Sequence, residues 1–183
     1  MGNELACWEL VGFIFVTVFG SLLHFVYHWS GNNRVVGLFA PINESTWEHL
    51  KLLVFPIVLY SIAEYLALGK NYPNFIPAKA LGVLLGMLAI VAIFYTYTGM
   101  LGRHYLWADI LTFILGVAAA YAYSWKIINK QPIGTSAQAA GFLIVLILIL
   151  SFAVFTLYPP HIAMFLDPVT NCYGTAPGSR APH

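Results

Sequence analysis

Charge is what this sequence has least of: only 8% of its 183 residues are Asp, Glu, Lys or Arg, against about a quarter in an ordinary soluble domain. With a hydrophobic share of 60%, this excludes a water-soluble globule, because one core cannot absorb so many large apolar side chains and lipid must solvate the rest. Cysteine is nearly missing: Cys7 and Cys172 are the two present, neither lies in a C-x-x-C pair, and the spans below put them on opposite faces, so no disulfide is expected. There is no polybasic run, and a net charge of +1 from 8 basic and 7 acidic residues gives no reason to expect nucleic acid or a basic membrane anchor. No internal repeat or low-complexity linker is present, and the length leaves room for one small membrane bundle without a second folded domain.

What is there is apolar length. Runs poor in Lys, Arg, Asp and Glu give five stretches able to cross a hydrocarbon layer of about 30 Å, which takes roughly 20 helical residues. They fall near 8–29, 46–68, 76–99, 104–126 and 134–158. The expected fold is therefore all-α, a five-helix transmembrane domain over 1–158 followed by a Pro-rich extramembrane tail over 159–183. The second span contains Lys51, Pro56 and Glu64, but it opens with Ser45 followed three residues later by Glu48, a capping-box spacing. The first span lacks a basic n-region, and its end (His24, Tyr27, His28, Trp29) has no small-residue cleavage site, so it is expected to stay in the mature protein. Five spans put the termini on opposite sides. Lys70, Lys79, Lys126 and Lys130 then share one face, and Arg34, Lys51, Arg103 and Arg180 the other. The first group reads as simple polar loops, which by the positive-inside tendency makes that face cytoplasmic, with the N-terminus in and the C-terminus out of a bacterial cytoplasmic membrane.

The ionisable residues collect at the face opposite the Lys loops. His24 and His28 close span one; Glu44, Glu48, His49 and Lys51 open span two; Arg103, His104 and Asp109 open span four; His161 and Asp167 follow span five. Ionisable groups at membrane depth are costly enough to mark function by default, although snorkelling accounts well for Arg34 and Lys51. His24 and His28 are four apart, hence on one helical face, and with His49 they are candidate ligands of a divalent metal such as Zn²⁺. Glu44 and Glu48, also four apart, are candidate general bases or ligands, with helix capping as the plainer role of Glu48. Asp109 lies about 8 Å deeper than His104 at 1.5 Å per residue, so a partner is expected from Arg103 or a histidine of span one. His161 and Asp167 are candidate accessory residues, which the Pro159-Pro160 pair could fold back over the opening. Glu64, near the other face, is expected to pair with Lys70, Lys126 or a tyrosine. Small residues mark helix contacts: Gly12 and Gly20 in span one, Gly82 and Gly86 in span three, and Thr112, Gly116, Ala120 and Ser124 in span four.

The run Pro-Ile-Asn-Glu-Ser-Thr-Trp-Glu-His-Leu-Lys at 41–51, with the His-rich end of span one and the late Pro-Pro-His and Asp-Pro, resembles a family of uncharacterised small bacterial membrane proteins. Asp109-Ile-Leu-Thr-Phe-Ile-Leu-Gly116, with polar residues gathered at one leaflet, resembles the helix of VanZ-type and lipocone-like membrane proteins in which an Asp is followed by Asn-x-x-Gly, with Thr112 or Phe113 in the place of the Asn. That second likeness implies chemistry on lipid or polyprenol head groups.

The function expected on these residues is a membrane-embedded enzyme, a hydrolase or transferase, with its site at the outer leaflet. His24, His28 and His49 would bind a metal or shuttle protons, Glu44 and Glu48 would act as base or ligands, Asp109 would orient a histidine, and Arg103 would hold an anion. The alternatives are a metal-, haem- or quinone-binding membrane protein and a small transporter. No C-x-x-C-H attachment site supports haem, and the nearly pure Leu, Ile, Val and Ala middles of spans three and five show no continuous pathway.

Overall fold

The computed structural model describes residues 2–174. Among these the regular structure is helical: α1 is Gly2–Trp29, α2 Thr46–His49, α3 Lys51–Ala67, α4 Phe75–Leu101, α5 Leu106–Ile128 and α6 Thr135–Leu157. Helices α2 and α3 make one span, Thr46–Ala67, so five helices are long and apolar enough to cross a membrane. This is a multi-pass membrane architecture. Helix α1 begins before the expected residue 8, taking in Glu4, which is exposed in the first turn where the helix dipole favours an acid.

Backbones approach where side chains are small. A Cβ added at Gly82 of α4 would stand 2.6 Å from the Ala120 carbonyl oxygen, and one at Gly86 2.8 Å from that of Gly116. The expected α5 ridge of Thr112, Gly116, Ala120 and Ser124 is buried throughout, against α4. Helix α1 closes on α3 in the same way. Pro56 has no N–H to give the Leu52 carbonyl four residues back, and it is at this oxygen that Gly20 docks, with 2.5 Å to a would-be Cβ.

Val16, Leu53, Val54, Ile57, Val83, Val117 and Phe152 form the central core. Leu5, Leu68, Phe75, Ala78, Ile127 and Ile128 form a second core at the Lys-loop end. There the buried Asn74 amide donates to the carbonyls of Ile127, Lys130 and Gln131 and accepts from Ile133 N–H, so that one side chain fixes the α5–α6 connection. Helix α6 lies at the rim, turning Phe142, Leu143, Ile147 and Leu150 outward. It is pinned at its far end by Trp47 of α2, whose ring meets Phe152, Phe155 and Phe165 at 4.8, 5.4 and 5.0 Å. Residues 159–174 fold back through a short helical turn, Ala163–Phe165, and a bridge between Leu166 and Tyr173.

Two lysines depart from the sequence expectation. Lys51 does not snorkel; its side chain is wholly buried and bonded to Glu48. Lys79 is not in a polar loop but inside α4, 6% exposed, bridging Glu9 at 2.9 Å and Glu64 at 2.7 Å. Glu64 thus pairs with Lys79 and not with Lys70 or Lys126, because a carboxylate in the packed interior needs a cation that is buried with it.

Candidate functional site

The site grows from the end of α1 and the entry to α2. Asn43 Oδ1 accepts from Ser45 N–H at 3.0 Å, and Ser45, with extended backbone, caps α2 by accepting from Glu48 N–H at 3.4 Å. This turn sends the carboxylates of Glu44 and Glu48 in different directions. Glu44 stays half-exposed and faces two histidines: its Oε2 is 3.3 Å from His49 Nε2 and its Oε1 3.8 Å from His24 Nε2. The two imidazole rings are 5.2 Å apart. One ligand atom from each of the three lies within 4.8 Å of the others, a spacing that can hold a metal ion.

The second ring nitrogen of His49 is fixed. Nδ1 is 2.9 Å from the Ser45 carbonyl, which can only accept, so Nδ1 carries a proton and Nε2 offers its lone pair to an ion or a second proton to Glu44. His24 Nδ1 is buried without a protein partner. The hydrogen bond from His49 holds the Glu44 carboxyl below its ordinary value, against the opposing effect of burial.

A second group stands across from the first. Asp109 accepts from the Tyr97 hydroxyl through Oδ1, and its Oδ2 is 3.1 Å from His104 Nδ1. Helix α5 starts at Leu106, so Asp109 is in the first turn and shallower than a start at residue 104 implied. Its partners are Tyr97 and His104; Arg103 instead stacks on the Tyr105 ring and donates from Nε to the Tyr105 hydroxyl at 2.7 Å. Glu44 and His49 of the first group and His104 and Asp109 of the second line one cleft of about 320 Å³, whose apolar lining includes Leu52, Ile90, Phe94 and Phe113. Pro168 and Val169 of the returning tail also line it.

The remaining candidates lie elsewhere. His28 is exposed and outside the His24–Glu44–His49 group. Glu48 is buried and fully engaged: Oε2 accepts from Lys51 at 2.6 Å and from Ile42 N–H at 3.0 Å, and Oε1 from the Thr156 hydroxyl at 3.0 Å. His161 is exposed and stacked on Tyr173 at 4.5 Å. Asp167 is buried in its own turn, accepting from Val169 N–H and the Thr170 hydroxyl, each at 2.8 Å. Tyr97 belongs to the Tyr95–Thr98 polar wall that the sequence places at the end of the third span on this face; what the sequence does not give is its bond to Asp109.

The chain belongs to the family described as a family of unknown function (DUF6512), whose model matches residues 2–175. No curated protein and no solved structure matches it.

Proposed function

We propose that this member of a family of unknown function is a membrane-embedded, zinc-dependent hydrolase or transferase acting on the head group of a lipid or polyprenol substrate. The observation that carries the reading is the His24–Glu44–His49 group, two of whose members, Glu44 and His49, line an amphipathic cleft that also contains Asp109 and His104. Two imidazoles and one carboxylate are a usual protein set for catalytic zinc, leaving a fourth position open for water or a substrate oxygen. The two imidazoles stand 3.3 and 3.8 Å from the two Glu44 oxygens, close enough for small side-chain movements to bring a donor from each residue to roughly 2.0–2.2 Å from one ion. The carboxylate between the rings favours a small ion over a haem.

Zinc would supply Lewis-acid polarisation of a head-group oxygen. The chain supplies the rest. The Ser45 carbonyl orients His49, and Tyr97 and His104 hold Asp109 at the rim, where its carboxylate can accept a proton from an attacking hydroxyl or water. The floor of Leu52, Ile90, Phe94 and Phe113 suits the acyl or isoprenoid part of the substrate. Arg103, next to His104 in the loop before α5, offers a guanidinium to an anionic head group. Likeness of the α5 entry to VanZ-type proteins points to the same substrate class.

We place the site at the outer leaflet of a bacterial cytoplasmic membrane. With Lys51 and Lys79 buried, Lys70, Lys126 and Lys130 remain as the basic residues at the opposite end of the bundle, which is taken as cytoplasmic.

The test is turnover. The full chain, reconstituted in vesicles of mixed phospholipid with a long-chain polyprenyl phosphate and loaded with Zn²⁺, is expected to release a head-group product detectable by mass spectrometry. Loss of product with Asp109→Asn supports the reading; equal product from empty vesicles, or none from the zinc-loaded protein, overturns it.

A further inference from the structure

A second polar centre lies about 22 Å from the histidines, counted as the 15 residues between Glu9 and His24 at 1.5 Å per residue along α1. Glu9, Glu64 and Lys79 come from α1, α3 and α4, and they are 5%, 0% and 6% exposed. The ammonium of Lys79 meets Glu9 Oε1 at 2.9 Å and Glu64 Oε2 at 2.7 Å. Two carboxylates and one ammonium leave one negative charge uncompensated in a packed apolar interior, where a lone charge is not sustained and the group neutralises instead.

Among the described residues, the neighbours provide no second cation. From α5, Ser124 donates to Glu9 Oε1 at 3.3 Å, and the Tyr121 ring lies 5.0 Å below the ammonium. Phe75 of α4 lies 5.2 Å from it. On α3, the Tyr60 hydroxyl is turned to the Trp8 carbonyl at 2.8 Å, and Tyr65 borders the groove beside Lys79. Phe142, Val145 and Ile149 are what α6 presents to that groove, and α1 adds Cys7, which is exposed. Glu9 Oε2, Glu64 Oε1 and the Tyr121 hydroxyl, all on residues more than nine-tenths buried, have no hydrogen-bond partner.

We propose that the Glu9–Lys79–Glu64 centre is a proton-binding site that holds one carboxyl proton at neutral pH. A metal cation is the poorer occupant. The small void beside these groups, about 10 Å³, is lined by Lys79, Tyr121 and Ser124; it is about the size of one water, and a cation in it would face the ammonium. A proton needs no space. Glu64 carries it, because Glu9 already accepts from both Lys79 and Ser124, whereas Glu64 has Lys79 alone. Glu9 also lines the open groove between α1 and α5 with Ala6, Leu10 and Tyr121, which gives the site a route of exchange toward the Lys-loop face.

Infrared spectroscopy of the full chain in lipid at neutral pH reads the proton directly, through the carbonyl stretch of a protonated carboxyl. One such band is expected, moving to lower frequency in D₂O. Charge counting predicts its loss in both Glu9→Gln and Glu64→Gln, since one carboxylate then matches one ammonium, and its doubling in Lys79→Met. Should Lys79→Met fail to fold, the two Gln variants decide. No band in the native chain, a band that does not move in D₂O, or a band kept in both Gln variants overturns the proposal.

Discussion

Lys51 Nζ meets Glu48 Oε2 at 2.6 Å with both side chains out of solvent. The same ammonium donates to the carbonyls of Gly37 at 2.7 Å and Ala40 at 3.4 Å, while the other Glu48 oxygen takes the Thr156 hydroxyl of α6. One ion pair thus ties the 36–42 loop, α2 and α6 together directly behind the histidines. Lys51→Met leaves the Glu48 carboxylate buried and unpaired, and should cost about 3–5 kcal/mol. Glu48→Gln combined with Lys51→Met should recover part of that loss. Thermal unfolding of the detergent-purified chain measures both.

Glycine at the α4–α5 crossing is irreplaceable for a different reason. Any side chain at Gly82 meets the Ala120 carbonyl, a backbone atom, so Gly82→Val should destabilise by about 1–3 kcal/mol through overpacking. Gly99 in the same helix has nothing within 4 Å of a would-be Cβ, and Gly99→Ala should be neutral or gain about 0.5–1 kcal/mol. The pair of melting curves separates crossing geometry from helix propensity.

Glu44 gives the site an acid limb. Its carboxyl is held below the ordinary value by His49, so the stabilisation is present above the unfolded carboxyl pKa of about 4.3 and is lost as pH falls through the folded value. Because the residue is half-exposed, the effect should be less than about 1 kcal/mol. Melting curves from pH 7 down to about pH 3 should show this extra slope in the native chain and not in Glu44→Gln.

Asp109 and the metal ligands should separate functionally. Asp109→Asn removes the proton acceptor but none of His24, Glu44 and His49, so zinc loading should persist while turnover falls by about 10²-fold or more. Tyr97→Phe removes one of the two contacts that orient Asp109 and should give a smaller loss with the pH profile displaced. A Tyr97→Phe variant with native rate and pH profile would remove Tyr97 from the site.

Periodicity and charge scarcity carried the five helices and their small-residue contacts, because these are properties of one helix at a time. Scarcity also pointed to one end of the bundle, and His24, Glu44, His49, His104 and Asp109 do gather there. Pairings were less legible. Glu48 looked like a partner of Glu44 because four residues usually share a face, but the Ser45 cap starts the helix between them and sends Glu48 inward to Lys51 and Thr156. Lys79 looked like a loop lysine because its partners, Glu9 and Glu64, come from helices that only the folded bundle brings beside it. Asp167 seemed a candidate for the cleft, but its carboxylate is consumed by its own turn, and Pro168 and Val169 reach the cleft instead.

Zinc content reads the His24–Glu44–His49 site itself. The full chain, stripped with chelator, reloaded with Zn²⁺ and freed of excess metal, is predicted to retain one zinc per chain. His24→Ala, Glu44→Ala and His49→Ala should lose it, while His28→Ala and Glu48→Gln keep it. A native chain that retains no zinc, or one whose zinc survives all three ligand substitutions, would rule out a zinc site on these residues.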